Sequence, residues 1–196
     1  MNRIIPVILL SVFLVSISPG QACAGSAKAE VQNADLETVG IVTLVQESDG
    51  VLVTMEASNL PPGFLGFHIH GVGECTPPFT SAEGHFNPQD KDHPHHAGDL
   101  PNLLVNKDGS AFMAVKSDRF KLSGVSSEDS AAIIIHPKPD NHGNIPERYT
   151  NEIDEATLST GDAGSRIACG IIKRQQAKKP SNAQCSWKNH RIAFFR

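Results

Sequence analysis

Residues 67–99 read FHIHGVGECTPPFTSAEGHFNPQDKDHPHHAGD and hold six of the chain's nine histidines. His68 and His70 alternate with Phe67 and Ile69. In a strand, that alternation sends both imidazoles to one face, roughly 6.5–7 Å apart along the backbone, and both apolar side chains to the other. His85, His93, His95, His96 and Asp99 follow within the same stretch. Neutral imidazole and carboxylate are ligands that suit zinc, copper and iron. A polar loop rich in histidine by chance is the plainer alternative. The density of ligand-type residues around a strand-like run argues against it.

The 196 residues fit about one domain. The start has the form of a targeting segment. Arg3 precedes the apolar run 4–17, which is short for a membrane span of about 20 residues and suits the core of a secretory signal. Ala22-Cys23-Ala24 fits a cleavage site after Ala24, giving a signal peptide over 1–24. A second reading cuts before Cys23 and lipidates it, although Gly20 is a poor residue for that motif. Either reading predicts an exported protein, periplasmic or extracellular, and membrane-associated if Cys23 carries lipid. Export permits disulfides. Cleavage after Ala24 leaves Cys75, Cys169 and Cys185, enough for one bridge and one odd thiol.

Residues 25–37 are mostly small and polar and read as a mobile leader. Strand signals follow at 39–46 and 51–57, joined by a Glu47–Gly50 turn, then at 64–70. A long loop covers 71–99. Residues 103–106 and 111–116, around Asp108-Gly109, read as another hairpin, and 120–122 as a short strand. Residues 131–136 form an apolar strand ending in His136. A second long loop spans 137–164, with a weak helical pattern near 151–158, and 165–173 is the last strand. Long loops in a compact domain are usually functional or disordered. Short strands and turn signals without strong helical periodicity predict an antiparallel sandwich or barrel.

The segments 66–70 (GFHIH), 84–88 (GHFNP), 96–100 (HAGDL), His136 and 161–170 (GDAGSRIACG) together make the chain resemble the copper–zinc superoxide dismutases over about residues 38–173. Asp99-Leu100-Pro101 and the position of Cys75 look closer to bacterial members. The resemblance implies an all-β, eight-stranded antiparallel Greek-key barrel with two long functional loops. It also implies dismutation of superoxide to dioxygen and hydrogen peroxide by a copper that changes valence, beside a structural zinc.

Carried over by position, the resemblance assigns copper to His68, His70, His85 and His136, and zinc to His85, His93, His96 and Asp99. His85 bridges both ions and takes part in catalysis. A bridging imidazole has lost both ring protons, a loss that two flanking dications favour. His95 competes with His96, and the His-x-Gly-Asp spacing selects His96. Asp140 matches an outer carboxylate that hydrogen-bonds His68 and His93. An Asx turn is its plainer alternative. Arg166 is assigned to attract the anion beside copper, Thr160 to narrow the channel and Lys138 to guide substrate. Ser159 stands where a second steering lysine is expected, and Arg148 or Lys91 are the available substitutes. Cys75–Cys169 is the implied disulfide. His142 and His190 receive no role and read as solvated surface.

All 21 acidic residues precede position 173, and from Lys173 onward lie seven basic residues and no acid. The extension 174–196 also holds the only tryptophan, Trp187, with Phe194-Phe195 and Cys185. It has three readings: docking on the acidic barrel, binding an anionic envelope surface, or a free end. Cys185 offers a cross-link within a possible homodimer or to Cys23. No nucleic-acid partner is expected. Two rival functions, a metal-carrying module without turnover and a zinc hydrolase, fit less well. The first should lack a copper ligand or the arginine, and the second needs an open zinc position.

Overall fold

Val51, Val53 and Met55 are buried while Leu52, Thr54 and Glu56 face outward, the two-residue period read in the sequence. They lie on β3 (Val51–Ala57), which pairs antiparallel with β2 (Thr38–Gln46) through the expected Glu47–Gly50 turn. The computed structural model describes residues 25–127, 130–146, 148 and 153–176. The signal-like segment, Cys23, Cys185, His190 and the extension from 177 lie outside them.

The other strands are β1 (Ser26–Asn33), β4 (Gly63–Leu65), β5 (Phe67–His70), β6 (Leu103–Val105), β7 (Ala111–Ser117), β8 (Ala132–Ile135), β9 (Ala168–Ile171) and β10 (Lys173–Gln175). One antiparallel sheet runs β5-β8-β9-β1-β2-β3-β7, with β10 also on β1. A second, two-stranded sheet pairs β4 with β6. β4 leads into β5 at one edge of the large sheet, and β6 leads into β7 at the other. The small sheet thus closes the curl into an all-β barrel. Leu65, Leu103 and Val105 join Val42, Leu44 and Ile133 in one core.

Four readings need correction. The supposed leader forms β1, held between β2 on one side and β9 and β10 on the other. Its inward face is Ala27, Ala29 and Val31, all fully buried. Two alanines give so weak an apolar signal that the strand reads as polar. β6 and β7 form no hairpin: a tight turn joins them, but β6 pairs with β4 and β7 with β3. The strand read at 120–122 is replaced by a short helix, α1 (Leu122–Val125), whose Leu122 and Val125 plug the barrel end. β10 takes in Arg174 and Gln175, so the boundary drawn after 173 falls inside a strand.

β8 explains how the site is built. Ile133 and Ile135 point into the barrel core. Ala132 and Ile134 point outward into a second cluster with Phe79, Ala82 and Cys169, under the first long loop. A strand covered on both faces reads as an unbroken apolar run. Each fully buried isoleucine contributes about 1.5–3 kcal/mol. In the β5–β8 pair, Phe67 and Ile69 lie opposite Ile135 and Ile133, while His68 and His70 lie opposite Ile134 and Ala132. Directly paired residues share a face. The two histidines therefore point away from the core, beneath the loops, where a site can form.

Candidate metal centre

The first loop is laid against the free edge of β5. Ile69 N–H donates to Gly98 O (2.9 Å), Phe86 N–H to Ile69 O (2.8 Å) and Gly71 N–H to Gly84 O (2.9 Å). These bonds set His85 beside His70 and Asp99 beside His68. Gly98 is needed for the approach, because a Cβ there would lie 2.2 Å from Ile69 O. His136 follows β8 directly, and its N–H donates to Gly66 O (2.8 Å).

Two clusters result, their ligand atoms all within 4.8 Å of one another in each: His68, His70, His85 and His136, and His85, His93, His96 and Asp99. All seven residues are buried. In the first cluster each ring has one nitrogen engaged and the other unpartnered. His68 Nε2 donates to Asp140 Oδ2 (2.8 Å), His70 Nδ1 to Glu83 O (2.7 Å) and His136 Nδ1 to Ser165 O (2.8 Å). His85 Nδ1 meets Asp99 Oδ1 at 2.7 Å. His68 Nδ1 and the Nε2 atoms of His70, His85 and His136 are buried without hydrogen-bond partners. Buried polar atoms are rarely left so. Four lone pairs converging in one small space are what a metal ion would satisfy, and the bonds to the opposite nitrogens fix each tautomer for it.

In the second cluster, Asp99 Oδ1 lies 3.2 Å from His96 Nδ1, and Oδ2 lies 3.2 Å from His93 Nδ1. The latter contact lacks hydrogen-bond alignment, and His93 Nδ1 is also unpartnered. His85 and His96 bring their Nδ1 atoms to 3.3 Å, a like pairing that suits two ligands of one ion. Three imidazoles and a carboxylate make a four-coordinate set of the structural zinc type.

Asp140 ties the clusters together, accepting from His68 and from His93 Nε2 at 2.8 Å each. Asn102 clamps its backbone: Asp140 N–H donates to Asn102 Oδ1 (2.7 Å), and Asn102 Nδ2 donates to Asp140 O (2.9 Å). Burial pushes His68 down to about 3, and the neighbouring rings of His85 and His136 lower it further, against Asp140. Burial likewise holds His70 well below the usual imidazole value and lowers His136 to about 4. These three rings are thus neutral and ready to ligate. Burial also disfavours charge on His93, but the hydrogen bond to Asp140 and the negative charge of the adjacent Asp99 outweigh it and raise the ring to about 9. Burial works against ionisation of both carboxylates as well, yet their histidine partners hold them below the ordinary range.

Arg166 is half-buried, and burial lowers its pKa. Its guanidinium donates to the carbonyls of Phe79 and Glu83. Cys75 and Cys169 form a disulfide with Cα atoms 5.6 Å apart, pinning that loop to β9. Lys138 and Ser159 are exposed. Thr160 ends α2 (Glu155–Thr160), its hydroxyl donating to Ala156 O at 3.0 Å. Lys91 and Arg148 are exposed.

His95 is exposed and His96 buried, which separates the two competitors. His142 is a correction, because it is not free surface. Its N–H donates to Asp140 Oδ1 (2.6 Å), and its ring stacks on His93 with centroids 6.5 Å apart. The sequence reading also missed Asn102 and Arg119. Arg119 donates to Pro94 O (2.8 Å) and His96 O (3.4 Å). Polar residues 23–38 positions from their partners carry no local pattern that would reveal them.

The family model described as copper/zinc superoxide dismutase matches residues 38–172. Superoxide dismutase [Cu-Zn] 1 of Aquifex aeolicus is 39% identical, covering 74% of this chain and 86% of its own. Superoxide dismutase [Cu-Zn] 2 of the same organism is 36% identical, covering 88% and 100%. The crystal structure of a SOD-like protein from Bacillus subtilis superposes with a TM-score of 0.62 at 34% identity, covering 74% of this chain and 96% of that one. Paired histidine clusters on a barrel of this topology and a match across nearly the whole barrel lead to one result: the chain belongs to the copper/zinc superoxide dismutase family.

Proposed function

We propose that the chain dismutates superoxide with copper held by His68, His70, His85 and His136 and zinc held by His85, His93, His96 and Asp99. The observation that carries this reading is the set of four buried, unpartnered imidazole nitrogens in the first cluster. Bound there, copper supplies one-electron redox chemistry, and zinc in the second cluster supplies fixed charge and structure. The reaction takes two superoxide ions and two protons to one dioxygen and one hydrogen peroxide.

The residues then have distinct tasks. His85 presents Nε2 to one cluster and Nδ1 to the other, so it can hold a proton at Nε2 whenever that atom is not ligated. Such a proton lies where reduced oxygen needs one. Asp140 fixes the rings of His68 and His93, acting as a positioning residue. Arg166 provides a cation beside the first cluster, held by two loop carbonyls, to attract and orient the anion. Lys138 and Thr160 belong to the approach, with Arg148 and Lys91 as further sources of positive charge.

Superoxide consumption by metal-loaded protein tests the reading. His136→Ala should abolish turnover, and Arg166→Ala should slow it by roughly tenfold or more while the metals stay bound. A fully active His136→Ala protein would remove the copper assignment.

Export by a signal over 1–24, to the periplasm or beyond, is part of the same proposal, supported by the Cys75–Cys169 bridge. The mass of the mature protein separates cleavage after Ala24 from lipidation of Cys23. Attachment of 174–196 to an anionic envelope surface predicts salt-sensitive retention that is lost when this extension is deleted. Homodimer formation is the remaining part and is read from mass in solution.

A further inference from the structure

The second cluster is closed to solvent, with side-chain exposures of 1% for His85, 0% for His93, 2% for Asp99 and 8% for His96. A hydrated dication cannot reach such a set in one step. It must exchange its waters for protein ligands one at a time, beginning with a ligand it can touch. Beside the cluster stands a third group whose ligand atoms lie within 4.8 Å of one another: His93, Asp140 and His142. His142 is the accessible member, its side chain 42% exposed while that of Asp140 is fully buried. Its Nδ1 lies 3.5 Å from Asp140 Oδ2.

A cavity of about 320 Å³ adjoins this group, lined by Pro94, Asp99, Leu100, Pro101, Arg119 and His142. It therefore touches the accessible histidine and a ligand of the closed cluster. Arg119 grips the carbonyls of Pro94 and His96, which holds the loop down over the cluster instead of letting it lift. His93 belongs to both groups. Its Nε2 faces Asp140 in the outer one, and its Nδ1 faces Asp99 in the inner one.

We propose that His142, with Asp140, is the entry station for the zinc ion, taking it from solution and passing it along the cavity to Asp99 and the inner cluster. Imidazole and carboxylate suit a divalent ion of this kind, and the carboxylate supplies the attraction. The proposal rests on the zinc assignment made above and adds a route to it.

A residue that acts only on the path lowers the barrier equally in both directions and leaves the affinity alone. A residue that supports the bound state changes the affinity. Zinc-free protein, with its copper kept reduced and colourless, is mixed with cobalt(II), whose visible band reports entry. Release is timed against a chelator. His142→Phe keeps the ring stacked on His93 without a ligand atom. His142→Asn suits the left-handed backbone at this position (φ 54°) and removes the imidazole. In both variants, uptake and release should slow by the same factor, on the order of tenfold, with unchanged affinity. Wild-type rates in both variants overturn the route. So does weaker binding with faster release, which would make His142 a support of the site. If the wild-type protein shows no four-coordinate cobalt band, the zinc assignment falls and takes the route with it.

Discussion

Gly161 stands so close to Asp140 that a methyl group on its Cα would lie 1.7 Å from the carboxylate Oδ1. Its φ of 61° also lies in the left-handed region, where glycine has no steric penalty. The Asp140 that joins the two clusters is thus seated against a position without a side chain.

Gly161→Ala should displace Asp140 and loosen both His68 and His93. Zinc affinity should fall by about 10–100-fold, the usual cost of disturbing an outer partner of a metal-bound histidine. Competition with a chelator measures it. Unchanged affinity would show that Asp140 does not position the ligands.

Zinc uptake should release a proton that belongs to His93. In the metal-free protein the two carboxylates keep this ring protonated up to about pH 9. Zinc needs Nδ1 bare, so binding at pH 7.5 should expel about one proton from this ring, and affinity should climb about tenfold per pH unit until pH 9. Calorimetry in two buffers of different ionisation enthalpy counts the protons. Affinity that is flat between pH 7 and 9 contradicts the assignment.

The metal-free protein should lose stability in mild acid. His68 and His136 ionise near 3 and 4 when folded, and His70 also lies far below its ordinary value. Unfolded histidines ionise near 6.5, so between about pH 6.5 and 4 the unfolded chain binds more protons and stability falls with pH. Each ring contributes at most about 1.4 kcal/mol per pH unit. His93, shifted the other way, contributes stability that is complete below about 6.5 and is lost as pH rises through 9. Denaturation of chelator-treated protein at pH 4.5, 6.5 and 9.5 should therefore show a maximum in the middle.

Replacing Cys75 and Cys169 with serine should cost on the order of 4–5 kcal/mol, since the bridge closes a separation of 94 residues. It should also free the loop whose Phe79 and Glu83 carbonyls hold Arg166. Activity per bound copper should drop even where metal content is kept. Equal activity per copper would disconnect the bridge from Arg166.

The clustered histidines were legible because metal chemistry permits few residue types, and because Phe67 to His70 states its two faces by alternation. The order of strands was less so. β1 hides a buried face made mainly of alanine, and β6 looks like the partner of β7 until β4 is seen to claim it. Asn102, Arg119 and His142 gain their meaning only from tertiary contact. Each holds a loop backbone or carboxylate that sequence spacing does not bring near.

Ser26 faces Gln175 across the β1–β10 ladder, so the two ends of the described chain leave the barrel side by side. Whatever is fastened to one end is fastened next to the other. A lipid at the front and a basic tail at the back would pull on the same corner of the molecule, and a single tether there would set which flank of the barrel looks outward.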